Sequence, residues 1–318
     1  MHFKITLFLA VLWTLWSTPI LAQSCLTDGI TFTSQEEVDS FPANYPGCMT
    51  ILGHVTISYS SVTNLDSLAQ LIAIDGSLVL LGNDSLSNLS GLASIVSIGK
   101  DLMIQDNDSL FNLSGFAALQ TVGRDVQIQE NNALIDLEGL DSLTTIGRDL
   151  LIRDNDGLTN LNGLEGLLTI GGDLGIEADS SLTSLMGIQN LQSLGKNLSI
   201  RQNPLITNLE SLQGLSAIAG NLHISENSIL ANLSGLDSIT SVIGDLIIGN
   251  NDSLVQLTGL NALISLSGDL EIYGNASLTS LTGLDSLATI GEFLRIYQNP
   301  VLTSLSGLQH INLKTLTE

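Results

Sequence analysis

From Leu78 onward the chain repeats its apolar pattern every 24 residues without slippage. Leu78, Leu102, Val126, Leu150, Leu174, Leu198, Leu222, Leu246, Leu270 and Leu294 open successive units. Two residues later comes Leu80 and then an unbroken Ile column from Ile104 to Ile296. A second Leu column runs from Leu89 to Leu305, and a Gly column from Gly91 to Gly307 is broken only at Ser211. Between them stands an Asn column: Asn83, Asn107, Asn131, Asn155, Asn203, Asn227, Asn251, Asn275 and Asn299, with Asp179 its one exception. The unit reads L-x-I-x-x-N-x-x-L-x-x-L-x-G-L-x-x-L-x-x-I-x-x-[DN], and a further copy at 55–77 is one residue short.

The L-x-I alternation predicts a short strand with both aliphatics on one face. The wider L-x-x-L steps predict bends between the sides of a coil. One unit buries about seven aliphatic side chains at roughly 1.5–3 kcal/mol each. Ordering its backbone costs roughly 1–2 kcal/mol for every residue. A lone coil therefore loses, and stacking on neighbours makes it fold. The expected architecture is mainly β: one right-handed β-helix or leucine-rich solenoid of about eleven coils, spaced by about 4.8 Å. The Asn column predicts a buried ladder, because an amide both donates and accepts for turn backbone. The Gly column predicts a bend with positive φ or a close backbone approach.

Ahead of the array, residues 23–54 read as a cap. Ser34-Gln35-Glu36-Glu37 forms a capping box that opens a short helix, placing Val38 and Phe41 over the end of the core. Residues 1–22 read as a secretory signal: His2 and Lys4, the apolar run Ile5–Trp16, then Ile20-Leu21-Ala22 before the cleavage point. That run is short of the roughly 20 residues a membrane-spanning helix needs. A lipoprotein anchored at Cys25 is the alternative, against which Ala22-Gln23-Ser24 is a poor recognition sequence. Cys25 and Cys48 are the only cysteines. In an exported chain they are expected to form a disulfide rather than a redox or metal site. No apolar stretch near residue 318 suggests an anchor, so the expected product is soluble, extracellular or cell-surface associated, with no transmembrane segment.

The stretch "PGCMTILGHVTIS" and coils such as "SIGKDLMIQDNDSLFNLSGF" resemble the receptor L domain, the leucine-rich β-helix of insulin- and epidermal-growth-factor-type receptor ectodomains. They are similar also to secreted bacterial L-domain-like repeat proteins and to fungal cell-wall proteins. The resemblance covers 25 to about 313, with the solenoid proper over 55–318. It implies a single right-handed solenoid outside the cytoplasm that binds a ligand or builds surface architecture. The chain departs from the receptors in having no cysteine-rich module, transmembrane helix or kinase, so growth-factor signalling does not carry over. The last coil decays at "LQHINLKTLTE", where Lys314 and Glu318 replace core aliphatics.

Charge narrows the partners. With 32 acidic and 9 basic residues the net charge is −23, which excludes nucleic acid and docking on anionic lipid. The aliphatic interior leaves function to outward positions. The strand face presents Arg153, Arg201, His223, Glu271, Tyr273, Arg295 and Tyr297 in columns that vary from coil to coil, as recognition surfaces of repeat proteins do. An extracellular protein or glycan is the expected ligand, and no cofactor is expected. Asp106, Asp108, Glu130, Asp154 and Asp156 cluster on three turns and raise calcium. The column of Asp108 and Asp156 elsewhere accepts Pro204, Ala276 and Ser180, which marks a solvent-facing turn. A corner stripe of Lys100, Arg124, Arg148 and Lys196 beside Asp101, Asp125, Asp149 and Asn197 is expected to pair its charges. Arg201, His223 and Glu226 suggest a polysaccharide lyase or hydrolase. Uninterrupted coils leave no loops to wall a cleft, so the chain is expected not to be an enzyme. Eight N-x-S/T sequons occur, four of them starting in the Asn column where no glycan fits.

Overall fold

A computed structural model describes residues 23–311. The segment 1–22 read as a signal, Lys314 and Glu318 lie outside the described residues. The chain is a parallel β-solenoid of about eleven coils. One side is a 12-stranded sheet that begins at Ile30–Phe32 and Val55–Ser58 and ends at Leu294–Tyr297. Neighbouring strands pair in steps of 24, Leu102 with Val126 and Val126 with Leu150. From Val55–Ser58 to Leu270–Tyr273 the first and third residues of each strand point inward and are buried, so the L-x-I reading holds.

The other side begins with Gln23–Cys25 and Cys48–Ile51, continues in two-residue strands such as Thr145–Ile146, and splits into eight strands ending at Ser193–Leu194 and four starting at Ala217–Ile218. The split falls where a run of stacked glycines ends. A Cβ on Gly123, Gly147, Gly171 or Gly195 would overlap the carbonyl oxygen of the glycine one coil earlier. Ala219 takes that place in the next coil, followed by Ile243 and Ser267, whose strands pair in register. Glycine shifts one place in the next coils, to Gly220, Gly244 and Gly268.

The Asn column is the predicted ladder. Asn131 Oδ1 accepts the Asn107 N–H at 3.1 Å, and its Nδ2 donates to the Ile104 carbonyl at 2.9 Å and the Gln129 carbonyl at 2.8 Å. Every member from Asn83 to Asn275, Asp179 included, is buried. Both expectations for the Gly column are met, though not in every coil. Gly139, Gly163, Gly187, Gly235, Gly259, Gly283 and Gly307 have φ of 105–123°. Gly91 and Gly115 instead lie in 3-10 turns, Ser90–Leu92 and Ser114–Phe116. Ser211 sits in another, Glu210–Leu212, where a right-handed backbone admits a side chain.

The N-terminal end is closed as expected. The Ser34 side chain accepts the Glu37 N–H, and Glu37 accepts the Thr33 N–H at 2.6 Å, opening the helix Gln35–Asp39. Val38 and Phe41 are buried, the latter 5.9 Å edge-on from Phe32. Cys25 and Cys48 form a disulfide with Cα atoms 5.7 Å apart. No helix among the described residues is long and apolar enough to cross a membrane.

Candidate ligand-binding face

The outward positions of the 12-stranded sheet form an exposed strip along the solenoid. Its main relief is at Leu174–Glu177, where Gly175 takes an outward position and leaves no side chain. The resulting open recess, about 380 Å³, is lined by Gln127, Asp149, Leu151, Asp173, Gly175, Glu177, Asn197 and Ser199. Leu151 leans over the gap, its Cδ1 2.9 Å from where a Gly175 Cβ would stand. The floor is apolar and the rim polar.

Glu177 organises one wall. It lies in register between Arg153 and Arg201 on the flanking strands. Arg201 Nη2 donates to its Oε2 at 2.9 Å, and Ser199 Oγ to its Oε1 at 2.8 Å. Burial pushes the Glu177 carboxyl up, but hydrogen bonds from Arg201 and Ser199 and the charges of both arginines outweigh it, so it titrates below its ordinary value. Arg153 turns the other way and donates from Nε to Asp154 Oδ2 at 2.8 Å. Next along the face His223 is half-buried, with no hydrogen-bond partner at Nε2. Burial, then the Arg201 charge, hold its imidazole below the usual range, which favours the neutral ring.

Toward the C-terminal end, Tyr273 and Tyr297 stack with centroids 5.3 Å apart and planes within 8°. The Tyr273 ring lies over Gly249, where a Cβ would collide with it. Tyr297 Oη donates to Glu271 Oε1 at 2.8 Å. Burial, then Glu271 and Glu226, raise the Tyr273 phenol, while the bond to Glu271 raises Tyr297. Arg295 pairs with Asp269 and lies 4.8 Å from the Phe293 ring centroid. The seven predicted residues thus fall into three groups. Arg153 stands with Asp154; Arg201 and His223 lie outside the lining of the recess, Arg201 joined to it through Glu177; Glu271, Tyr273, Arg295 and Tyr297 make the aromatic end. All three arginines are bound to carboxylates of the protein itself, so the face offers aromatic, apolar and acceptor groups more than free positive charge.

The residues proposed for sugar cleavage do not converge. Arg201 is turned to Glu177 on the preceding strand, whereas Glu226 lies one coil beyond and accepts from Gln202 Nε2 at 3.0 Å. The five acids raised for calcium are likewise divided. Asp106 and Asp108 meet Asp84, with carboxylate oxygens within 4.8 Å of one another on exposed turns. Asp154 is held by Arg153, Asp156 accepts from Ser180 Oγ at 2.6 Å, and Glu130 accepts from Gln105 Nε2 at 3.4 Å. Asp106, Glu130 and Asp154 have φ of 53–56°, a left-handed turn position that Gly82 and Gly274 also fill.

The corner stripe corrects an expectation. Its acids serve the backbone rather than the neighbouring cations. The Asp149 N–H donates to Asp125 Oδ1 at 3.2 Å, Asp173 to Asp149 at 2.8 Å, and Asn197 to Asp173 at 2.9 Å, continuing through Asn221, Asp245 and Asp269. This second ladder follows the [DN] place of the repeat, and the constancy of that column was the signal for it. Among the described residues the stripe makes one ion pair, Arg148 with Asp125 at 3.7 Å. Comparison of the sequence with known protein families and with curated proteins gives no match in either case.

Proposed function

We propose that the protein is a secreted or cell-surface binding module of the receptor L-domain type, whose strand face engages an extracellular protein or glycan. The observation that carries this reading is the recess over Gly175. On a strand face whose outward positions mostly carry side chains, Gly175 opens a hollow lined by Leu151, acceptor side chains and the Ser199 hydroxyl. Such concave sites with a few convergent polar groups are where ligands are usually held. The stacked tyrosines lie four coils further on, about 19 Å away at 4.8 Å per coil. An extended ligand, such as an oligosaccharide or a peptide strand, spans both. The predicted leader and the disulfide support an extracellular setting.

Glycan and protein arrays probed with the protein test this. Gly175→Val, which fills the recess, and Tyr273→Ala are expected to abolish binding while the β-sheet circular dichroism stays unchanged. Arg201→Ala and Arg295→Ala report on the flanks. Unchanged binding in all four variants refutes the face. The second reading, a carbohydrate-active enzyme, draws only on the unpartnered Nε2 of His223. Product release from any glycan that binds, lost in His223→Gln, would favour it.

A further inference from the structure

The Asn ladder has one substitution, and its chemistry does not match the slot it fills. On either side of it the amide nitrogen is a donor. Asn155 Nδ2 donates to the Ile128 carbonyl at 2.9 Å and to the Arg153 carbonyl at 3.0 Å. Asn203 Nδ2 does the same to Ile176 at 2.9 Å and Arg201 at 3.0 Å. Asp179 keeps the accepting half of the role. Its Oδ1 receives the Asn155 N–H at 2.9 Å and Nδ2 at 3.1 Å, and its own N–H donates to Asn203 Oδ1 at 3.1 Å. Its Oδ2 stands in place of the amide nitrogen, buried and without a partner. By the 24-residue register, the groups that meet this place are the Ile152 and Glu177 carbonyls, both acceptors. An ionised carboxylate sets a charged oxygen against them with no donor between. A carboxylic acid restores the donor that asparagine supplies.

We infer that Asp179 is a buried proton-binding site within the ladder: the folded solenoid holds it as the neutral acid, Oδ2–H donating to the Ile152 carbonyl, and release of that proton to solvent weakens the stacking of its coil. The inference stands apart from the ligand proposal. The surroundings act in the same direction. Burial raises the carboxyl most, hydrogen bonds from Asn155 oppose it, and Asp154 and Asp156 add to the rise, leaving it at about 7. The preceding turn contributes those two acids, and its own strand contributes Glu177. The cations on the flanking strands, Arg153 and Arg201, are held by Asp154 and Glu177. The following turn, Gln202-Asn203-Pro204, carries no charge. A metal ion is a poor alternative, because the slot is built at N–H···O spacing and calcium wants six to eight oxygens at about 2.3–2.6 Å.

The carboxyl moves from 3.8 in its ordinary state to about 7 in the fold. Its contribution is therefore complete below pH 4 and lost as pH rises toward 7. Between pH 5 and 8 the local opening equilibrium should rise about 10²-fold through this group alone. Amide hydrogen exchange on the full chain, corrected for intrinsic rates, reads this at Asn155 and Asp179. Wild-type protection is expected to fall by that factor, and Asp179→Asn to flatten the profile at both amides. Asn251, far along the ladder, should behave alike in both proteins. An equal pH dependence in Asp179→Asn overturns the inference. Should that variant not fold, carbon-13 titration of the wild-type carboxyl decides: a midpoint near 7 upholds the site and one below 4 overturns it.

Discussion

Replacing Asn131 by alanine tests whether the ladder holds the coils together or merely occupies the interior. The side chain accepts from Asn107 N and Nδ2 at 3.1 and 3.2 Å, and donates to the Ile104 and Gln129 carbonyls and to Asn155 Oδ1. Asn131→Ala strands the buried Asn107 N–H, while Asn107 Nδ2 keeps the Leu80 and Gln105 carbonyls and Asn155 Oδ1 keeps the Asn131 N–H. One orphaned donor costs about 1–3 kcal/mol and each of the four other lost bonds about 1 kcal/mol, so the junction should weaken by about 5–7 kcal/mol, less if water enters the void. Stability in a solenoid is close to a sum over neighbouring coils, so the loss is local. Exchange protection at the Asn107 amide should fall about 10²-fold or more, with Asn227 untouched. Urea unfolding should become broader as the two halves decouple. Asn132→Ala, one residue along on the exposed turn, is the control and should change stability by less than about 0.5 kcal/mol. A change at Asn107 no larger than in that control refutes the structural role of the ladder.

Other consequences follow from single positions. Gly139 has φ of 112°, and a Cβ there would overlap the Leu113 carbonyl oxygen, so Gly139→Ala should destabilise by about 1–3 kcal/mol or more; Ser211→Ala, in the same column but a right-handed turn, should be near neutral by urea unfolding. Cys25 and Cys48 are 23 residues apart, and opening that loop with Cys25→Ser and Cys48→Ser should cost roughly 3 kcal/mol. Limited proteolysis should then cut the cap while the coils beyond Leu102 resist, and equal resistance of cap and coils would contradict this. Calcium should leave the unfolding midpoint unchanged, because Asp84, Asp106 and Asp108 lie on exposed turns; saturable stabilisation lost in Asp108→Asn would reverse that conclusion.

Translation by 24 residues made the interior legible before any coordinates. A column that never leaves Leu, Ile or Val is an inward ladder, and an Asn column among such ladders has to be buried and bonded. The same logic extends to the [DN] corner, where Asp and Asn recur beside Lys and Arg and the sequence alone suggests charge pairing. The backbone amide of each coil decides the matter there, since an N–H one coil away is an obligatory partner and a lysine in solvent is not. The break in the short-stranded sheet coincides with the one-place shift of glycine from Gly195 to Gly220, yet the strands before Ile243 and Ser267 pair without a glycine in that column.

Side-chain direction is what the repeat does not encode. Arg153 and Arg201 occupy the same column on either side of Glu177, and only Arg201 bonds it. Arg153 takes Asp154 instead, an acid at a turn position that is Gln202 in the coil of Arg201. Local alternatives of this kind decide which charges remain free for a ligand, and period alone is blind to them. Regularity has the converse use of making departures informative. The coil opened by Leu174 departs twice, at Gly175 on its outward face and at Asp179 in its buried ladder. Neither change helps the solenoid stack: glycine weakens a strand interior and a buried carboxyl opposes its own ionisation. Two costs to folding within five residues, one forming a recess and the other a proton site, point to this coil as the place where function and scaffold compete.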